Sequence, residues 1–150
     1  MAPRSAAPVA VRAAQISDSA RIAELSGQLG YPSTYDQVET RLREIQATAE
    51  HAVFVAQLAT GEVAGALDVF VMRTMEAEPR AEIGGLIVDE RYRSQGLGQR
   101  LMERADEWAR EKHCAEVGLR SNVIRDRAHA FYERLGYRVV KTQKAFRKML

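Results

Sequence analysis

Apolar positions recur along the chain with two periods, and the switches between them divide it into elements. Val9 to Ala13 alternates weakly and predicts a short strand. Ser17 and Asp18 offer an N-cap, and Ile22, Leu25 and Leu29 then fall three and four apart, so a first helix follows until Gly30-Tyr31-Pro32 stops it. Thr34 and Gln37 have the spacing of a capping box, and Val38, Leu42 and Ile45 carry a second helix to about Ala49. The period shortens to two at Val53 to Leu58 and again at Val63 to Met72. These are two strands joined by the turn Ala59-Thr60-Gly61-Glu62.

Arg73 to Arg80 has little apolar content and reads as a loop. Ile83 to Val88 is a nearly continuous apolar run, as expected of a central strand. Leu97, Leu101, Ala105 and Trp108 then form one face of a helix reaching about Lys112. Glu116 to Ser121 alternates as a strand, Arg125 to Leu135 reads as a last helix stopped by Gly136, and Tyr137 to Met149 reads as a closing hairpin. The order β-α-α-β-β-β-α-β-α-β-β predicts an α+β (mixed α/β) fold with a mixed, mostly antiparallel sheet of about seven strands and about four helices.

Composition narrows the class. At 150 residues, residues 9–150 are expected to form one domain, with residues 1–8 as a disordered lead-in. A net charge of +2 with interspersed signs gives no basic field for nucleic acid, and no apolar stretch approaches the ~20 residues of a membrane span. One cysteine, Cys114, excludes an intramolecular disulfide framework and fits a reducing, cytoplasmic setting. His51, His113 and His129 show no metal spacing, so no metal is expected. Cys114 is read as a packing or helix-terminating residue and Trp108 as core.

Candidate chemistry gathers where the apolar run ends. Val88-Asp89-Glu90-Arg91-Tyr92-Arg93-Ser94-Gln95-Gly96-Leu97-Gly98-Gln99-Arg100-Leu101 joins a strand to a helix through a polar, glycine-bearing turn. Such a turn aims unpaired N–H groups at the positive end of a helix, where an anion can sit. Gly96 and Gly98 let main chain approach a ligand, and Arg93 and Arg100 add positive charge. The turn has neither a G-x-G-x-x-G dinucleotide fingerprint nor the Gly-Lys-Ser/Thr of a P-loop.

Arg93-Ser94-Gln95-Gly96-Leu97-Gly98 resembles the Arg/Gln-x-x-Gly-x-Gly/Ala acyl-CoA signature of the GNAT superfamily of N-acyltransferases. Glu82-Ile83-Gly84-Gly85-Leu86-Ile87-Val88 is similar to that family's fourth strand, and Arg120-Ser121-Asn122 to the end of its fifth. Ala128 to Tyr137 resembles its closing Ala-x-x-Phe-Tyr-x-x-x-Gly-Phe/Tyr motif. The resemblance implies a sheet splayed between strands four and five, with the pantetheine arm of acetyl-CoA lying in the opening. It places Leu86, Ile87 and Val88 along pantetheine, and Arg93, Ser94, Gln95, Gly96, Leu97, Gly98 and Gln99 around the pyrophosphate. It also places Asn122 at the pantetheine amide and Tyr132 by the thioester sulfur. Arg100 and Arg125 are both candidates for the adenosine 3′-phosphate.

Acetyl transfer to an amine needs a base for the nucleophile, an electrophilic partner for the carbonyl oxygen and an acid for the leaving thiolate. A phenol with a pKa near ~10 suits the last role, so the motif match makes Tyr132 the candidate acid over a packing tyrosine. Main-chain N–H groups near Leu86 to Val88 suit the carbonyl. Glu82 is open to a general-base reading, and also to those of a solvated strand end or a salt bridge to Arg80. The expectation is a homodimeric acetyl-CoA-dependent N-acetyltransferase with a small-molecule amine acceptor. The alternatives are a protein lysine or N-terminal acetyltransferase and a CoA-binding module without turnover. Glu39, Glu76 and Glu78 would suit a cationic acceptor.

Overall fold

Val9–Ala13 forms β1, the edge of a sheet, and a 3-10 turn at Ile16–Asp18 leads into α1, Ser19–Gln28. These come from a computed structural model that describes residues 9–121, 123 and 125–150. Helix α2, Tyr35–Gln46, begins with the expected capping box: the Gln37 N–H donates to Thr34 Oγ1 at 3.1 Å, and the Thr34 N–H donates to Gln37 Oε1 at 3.0 Å. Strands β2 (His51–Leu58), β3 (Val63–Met72) and β4 (Arg80–Val88) follow, then a 3-10 turn at Glu90–Tyr92 and α3, Leu97–Glu111. Strand β5 (Val117–Leu119) and α4 (Asp126–Arg134) complete the regular elements. The chain forms two compact units, one ending at Leu119 and the other running Arg120–Leu150.

In the first unit the strands lie in the order β1-β2-β3-β4-β5. The first three pairings are antiparallel and β4–β5 is parallel, joined through α3 as a crossover requires. Helix α3 covers one face. Its Leu101 side chain meets the Gly65 position at 3.0 Å, and Arg104 lies over the Phe54 ring at 4.5 Å. The predicted stripe holds, with Leu97, Leu101, Ala105 and Trp108 all buried. Helices α1 and α2 cover the other face, where Leu25 and Leu42 cluster with Val55, Val63 and Ala66.

Two features of β4 shape the region around its C-terminal half. Its register with β3 shifts between Asp68 and Val69, which leaves Gly84 as the extra residue of a bulge. Its pairing with β5 covers only Ala81, Glu82 and Ile83, so Gly84 to Val88 has no ladder partner on that side among the described residues. Antiparallel pairing alternates, and the Asp89 N–H donates to Ala64 O at 2.8 Å. By that alternation Ile87 turns its main-chain groups toward β3, while Leu86 and Val88 turn theirs to the open edge.

In the second unit α4 stops as predicted at Gly136, whose φ is +95°. The expected sheet of about seven strands is corrected to five among the described residues, because Tyr137 to Met149 forms no hairpin. The segment alternates apolar and basic residues, but its midpoint, Lys141-Thr142-Gln143-Lys144, lacks the Gly or Asn a tight hairpin turn needs. Val139, Val140, Phe146 and Met149 are all exposed, so no burial rewards the pairing.

Candidate active site

The turn after β4 is built from outside itself. Asp89, fully buried at the strand end, accepts from the Arg91 N–H at 3.0 Å and from the Arg91 guanidinium at 2.9 Å, and it is bonded to Arg21 of α1. Arg21 Nε also donates to Val63 O at 2.8 Å, and Glu62 accepts from Arg91 at 2.5 Å and from the Tyr92 hydroxyl at 3.0 Å. The Arg91 guanidinium, against the cost of burial and with help from the Arg91 N–H and Arg21, holds the Asp89 carboxyl far below the usual carboxylate range. The strand end is thereby tied to α1 and to the β2–β3 turn. No local motif in the sequence announces this, since Arg21 and Asp89 are 68 positions apart.

Beyond this anchor the chain is exposed from Arg93 to Gly96. Ser94 and Gly96 both adopt left-handed backbone, with φ of +64° and +82°. Left-handed residues on either side of Gln95 are a turn geometry able to aim successive N–H groups one way, as in an anion-binding nest. Among the described residues the N–H groups of Ser94, Gln95 and Gly96 donate to no protein acceptor. A Cβ added at Gly96 would meet nothing within 4 Å, so the space before the nest is open. The residues present therefore fit a pyrophosphate at the N-terminus of a fifteen-residue helix. Leu97 is buried and would act through its main chain, Gly98 and Gln99 lie in the first turn of α3, and the Gln99 side chain donates to Glu103 at 3.0 Å.

Glu82 is only 5% exposed, midway between the β3 and β5 ladders. Its Oε2 lies 3.5 Å from Arg80 Nε, so the ion pair named as its alternative role is present. A Cβ at Gly118, its partner on β5, would lie 3.0 Å from the same oxygen, so glycine there leaves the carboxylate its room. Leu86 and Val88 face the open edge that begins two residues beyond Glu82, and Ile87 packs beside the α1–α2 cluster. Tyr132 stands on α4 in the second unit, where its ring meets Phe131 at 5.2 Å and Tyr137 at 6.1 Å. Burial pushes its phenol up from the ordinary value, partly countered by the Arg125 charge, which keeps it a proton donor at neutral pH. Asn122 lies outside the described residues. Glu76 and Glu78 are exposed in the loop before β4, and Glu39 is paired with Arg43 at 2.8 Å. Cys114 is buried just past α3, after His113 ends the helix in left-handed backbone at φ +60°.

One further pair escaped the sequence reading. His51 Nε2 lies 2.8 Å from Asp68 Oδ2. Only the β2–β3 register brings them together, and no spacing rule connects residues 17 apart on different strands.

The sequence matches the Acetyltransferase (GNAT) family over residues 21–137. It is 30% identical over 145 residues, covering 93% of both chains, to an aminoglycoside N(6′)-acetyltransferase type 1 of Stenotrophomonas maltophilia. Against a protein of the same description from Serratia marcescens it is 29% identical over 115 residues, covering 73% of this chain and 77% of that one. Among solved structures, an aminoglycoside antibiotic 6′-N-acetyltransferase of Acinetobacter baumannii superposes with a TM-score of 0.84 at 19% identity, covering 95% of this chain and 99% of the other. Glucosamine-6-phosphate N-acetyltransferase of Arabidopsis thaliana superposes with a TM-score of 0.79 at 24% identity, covering 93% and 98%. With its open β4 edge and unbonded loop N–H groups, and a family match across most of its length, the chain belongs to the Acetyltransferase (GNAT) family of acetyl-CoA-dependent N-acetyltransferases.

Proposed function

We propose that the protein acetylates a primary amine of a small polycationic acceptor of the aminoglycoside class, by direct attack within a ternary complex. The observation that carries this reading is the likeness, over 93% of both chains, to a protein described as an aminoglycoside N(6′)-acetyltransferase. Carboxylates on the β4 side of the sheet, Glu82 and Asp68 among them, support a cationic acceptor.

Acetyl-CoA supplies an activated acyl thioester. The N–H groups from Ser94 to Gln99 hold its pyrophosphate, with Arg93 adding charge at the rim. Leu86 and Val88 lend main-chain hydrogen bonds to the pantetheine arm along the open edge, as an added strand would receive them, and Ile87 backs that edge. A Leu86 or Val88 N–H also faces the acyl carbonyl oxygen and stabilises the charge it gains. Glu82 takes the proton that the amine loses. Asn122 and Tyr132 owe their roles to the sequence motifs: Asn122 binds pantetheine, and the Tyr132 phenol protonates the leaving thiolate. The reading includes a cytoplasmic homodimer, for which sedimentation of the purified chain is the direct measurement.

Thiol release from acetyl-CoA is to be followed with kanamycin, spermidine and a lysine-containing peptide. Release with kanamycin is the expected result. Release with the peptide alone would move the protein to lysine or N-terminal acetylation, and tight acetyl-CoA binding with no release from any acceptor would make it a CoA-binding module.

A further inference from the structure

Strand β3 is third of five, and its residues Leu67 and Val69 are 1% and 0% exposed. Between them stands Asp68, whose carboxylate a central strand has no packing reason to hold. The opposing strand makes room for it. A Cβ at Gly84 would lie 2.2 Å from Asp68 Oδ2 and 2.8 Å from Oδ1, and one at Gly85 would lie 3.4 Å from Oδ1. Glycine weakens a strand interior, so with two in succession the sheet gives up stability to seat this carboxylate on the β4 bulge.

The carboxylate is also held. His51 Nε2 donates to Oδ2 at 2.8 Å, and the imidazole leans on Phe70 at a ring distance of 5.3 Å. A carboxylate only accepts, so this bond makes Nε2 the protonated ring nitrogen. Oδ1 has no protein partner among the described residues, and the Asp68 side chain is 30% exposed. Phe70 is the register partner of Glu82, so His51, Asp68, Phe70 and Glu82 share one face of the sheet. Their position along the strands is telling. The β4–β5 ladder ends at Ile83, and the open edge assigned to the acyl arm begins at Gly84, directly beneath Asp68. An amine approaching the acyl end of that edge from this face meets Oδ1.

We propose that Asp68 is an acceptor-binding residue, its free oxygen receiving an ammonium group of the polycationic acceptor, and that His51 is the positioning residue that aims it. This rests on the small cationic acceptor proposed above. The carboxylate is a specificity element distinct from Glu82: it binds a charge, whereas Glu82 takes the reacting proton.

Initial rates of the purified full chain, varied separately in kanamycin and acetyl-CoA, test the assignment with Asp68→Asn, His51→Ala and His51→Gln. Losing a charge-assisted bond should raise the kanamycin KM of Asp68→Asn by about 10- to 100-fold, with the acetyl-CoA KM held within about twofold. His51→Ala should raise the kanamycin KM less, and His51→Gln, which keeps a donor, should recover most of the loss. An unchanged kanamycin KM in Asp68→Asn overturns the proposal. So does a parallel loss for both substrates that tracks a lowered melting temperature, since that marks a structural pair. If the parent enzyme acetylates only spermidine or the peptide, the aminoglycoside reading fails, and Asp68 is judged on that acceptor by the same KM criterion. Release with none of the three overturns both.

Discussion

Arg21 on α1 is bonded to Asp89 at the end of β4, and the pair fixes where the loop leading into α3 begins. Asp89 has no exposed surface, and Arg91 grips the same carboxylate from the loop side. Asp89→Ala opens a void between Arg21 and Arg91 and leaves them Glu62 as their remaining shared counter-charge. The expected cost is about 1–3 kcal/mol, that of losing hydrogen bonds to a charged group, because both guanidinium groups stay partly exposed and paired. Acetyl-CoA affinity should fall with it, because the nest at Ser94 and Gly96 starts five residues beyond this anchor. Thermal unfolding and calorimetric titration of acetyl-CoA measure the two effects.

The same carboxylate predicts an acid limb of stability. Its folded-state pKa is depressed, so its contribution is present in full above the unfolded value of ~3.9 and is lost as pH falls below that toward the folded value. Between about pH 5 and pH 2 the protein should lose stability, and Asp89→Asn should lose less over that window, since it has no such proton to bind. Urea midpoints taken at intervals across the window give the comparison. Equal slopes for the two proteins would assign the acid sensitivity elsewhere.

Gly96 and Gly98 separate backbone strain from ligand clash. Gly96 sits at φ +82° with open space at its Cβ position, so Gly96→Ala meets no protein atom and pays only for left-handed backbone, about 1 kcal/mol. Gly98 lies in the first turn of α3. In the proposed site a side chain there would occupy the cradle, so Gly98→Trp should lower acetyl-CoA affinity about tenfold or more. Melting temperature together with acetyl-CoA affinity reads both outcomes, and an unaltered affinity in Gly98→Trp would remove Gly98 from the site.

What could be read from the residues was what local chemistry decides. The Thr34–Gln37 capping box, the Leu97–Trp108 stripe and the Gly136 stop each lie within a few positions, and each formed as predicted. The Tyr137–Met149 hairpin was misjudged because alternation describes what a strand would bury, and its large apolar side chains Val139, Val140, Phe146 and Met149 stay exposed. The Arg21–Asp89 anchor and the His51–Asp68 pair were invisible for the opposite reason. Both are products of register and packing between elements, and neither residue of either pair has an unusual neighbour in sequence. The glycine pair Gly84-Gly85 was the available signal for the second. Two glycines inside an apolar strand predict a close approach, although not which side chain makes it.

Glu82 and Tyr132 make the last prediction, because the two are assigned opposite halves of one proton traffic. If, as proposed, Glu82 accepts from the amine and Tyr132 donates to the thiolate, each variant should lower kcat while leaving acetyl-CoA affinity near that of the parent. Glu82→Gln keeps the shape beside Gly118 but leaves Arg80, 3.5 Å away, without its counter-charge. A purely structural Glu82 would show itself as a lowered melting temperature with kcat retained; a base shows the reverse, a kcat lowered about 100-fold in a protein that melts normally. Tyr132→Phe keeps the ring contacts with Phe131 and Tyr137 and removes only the hydroxyl. Its kcat should fall about tenfold to 100-fold, and the deficit should shrink when the acyl donor carries a more acidic thiol, whose thiolate leaves without a proton. A deficit equal for both donors would mean that the Tyr132 hydroxyl is not the acid.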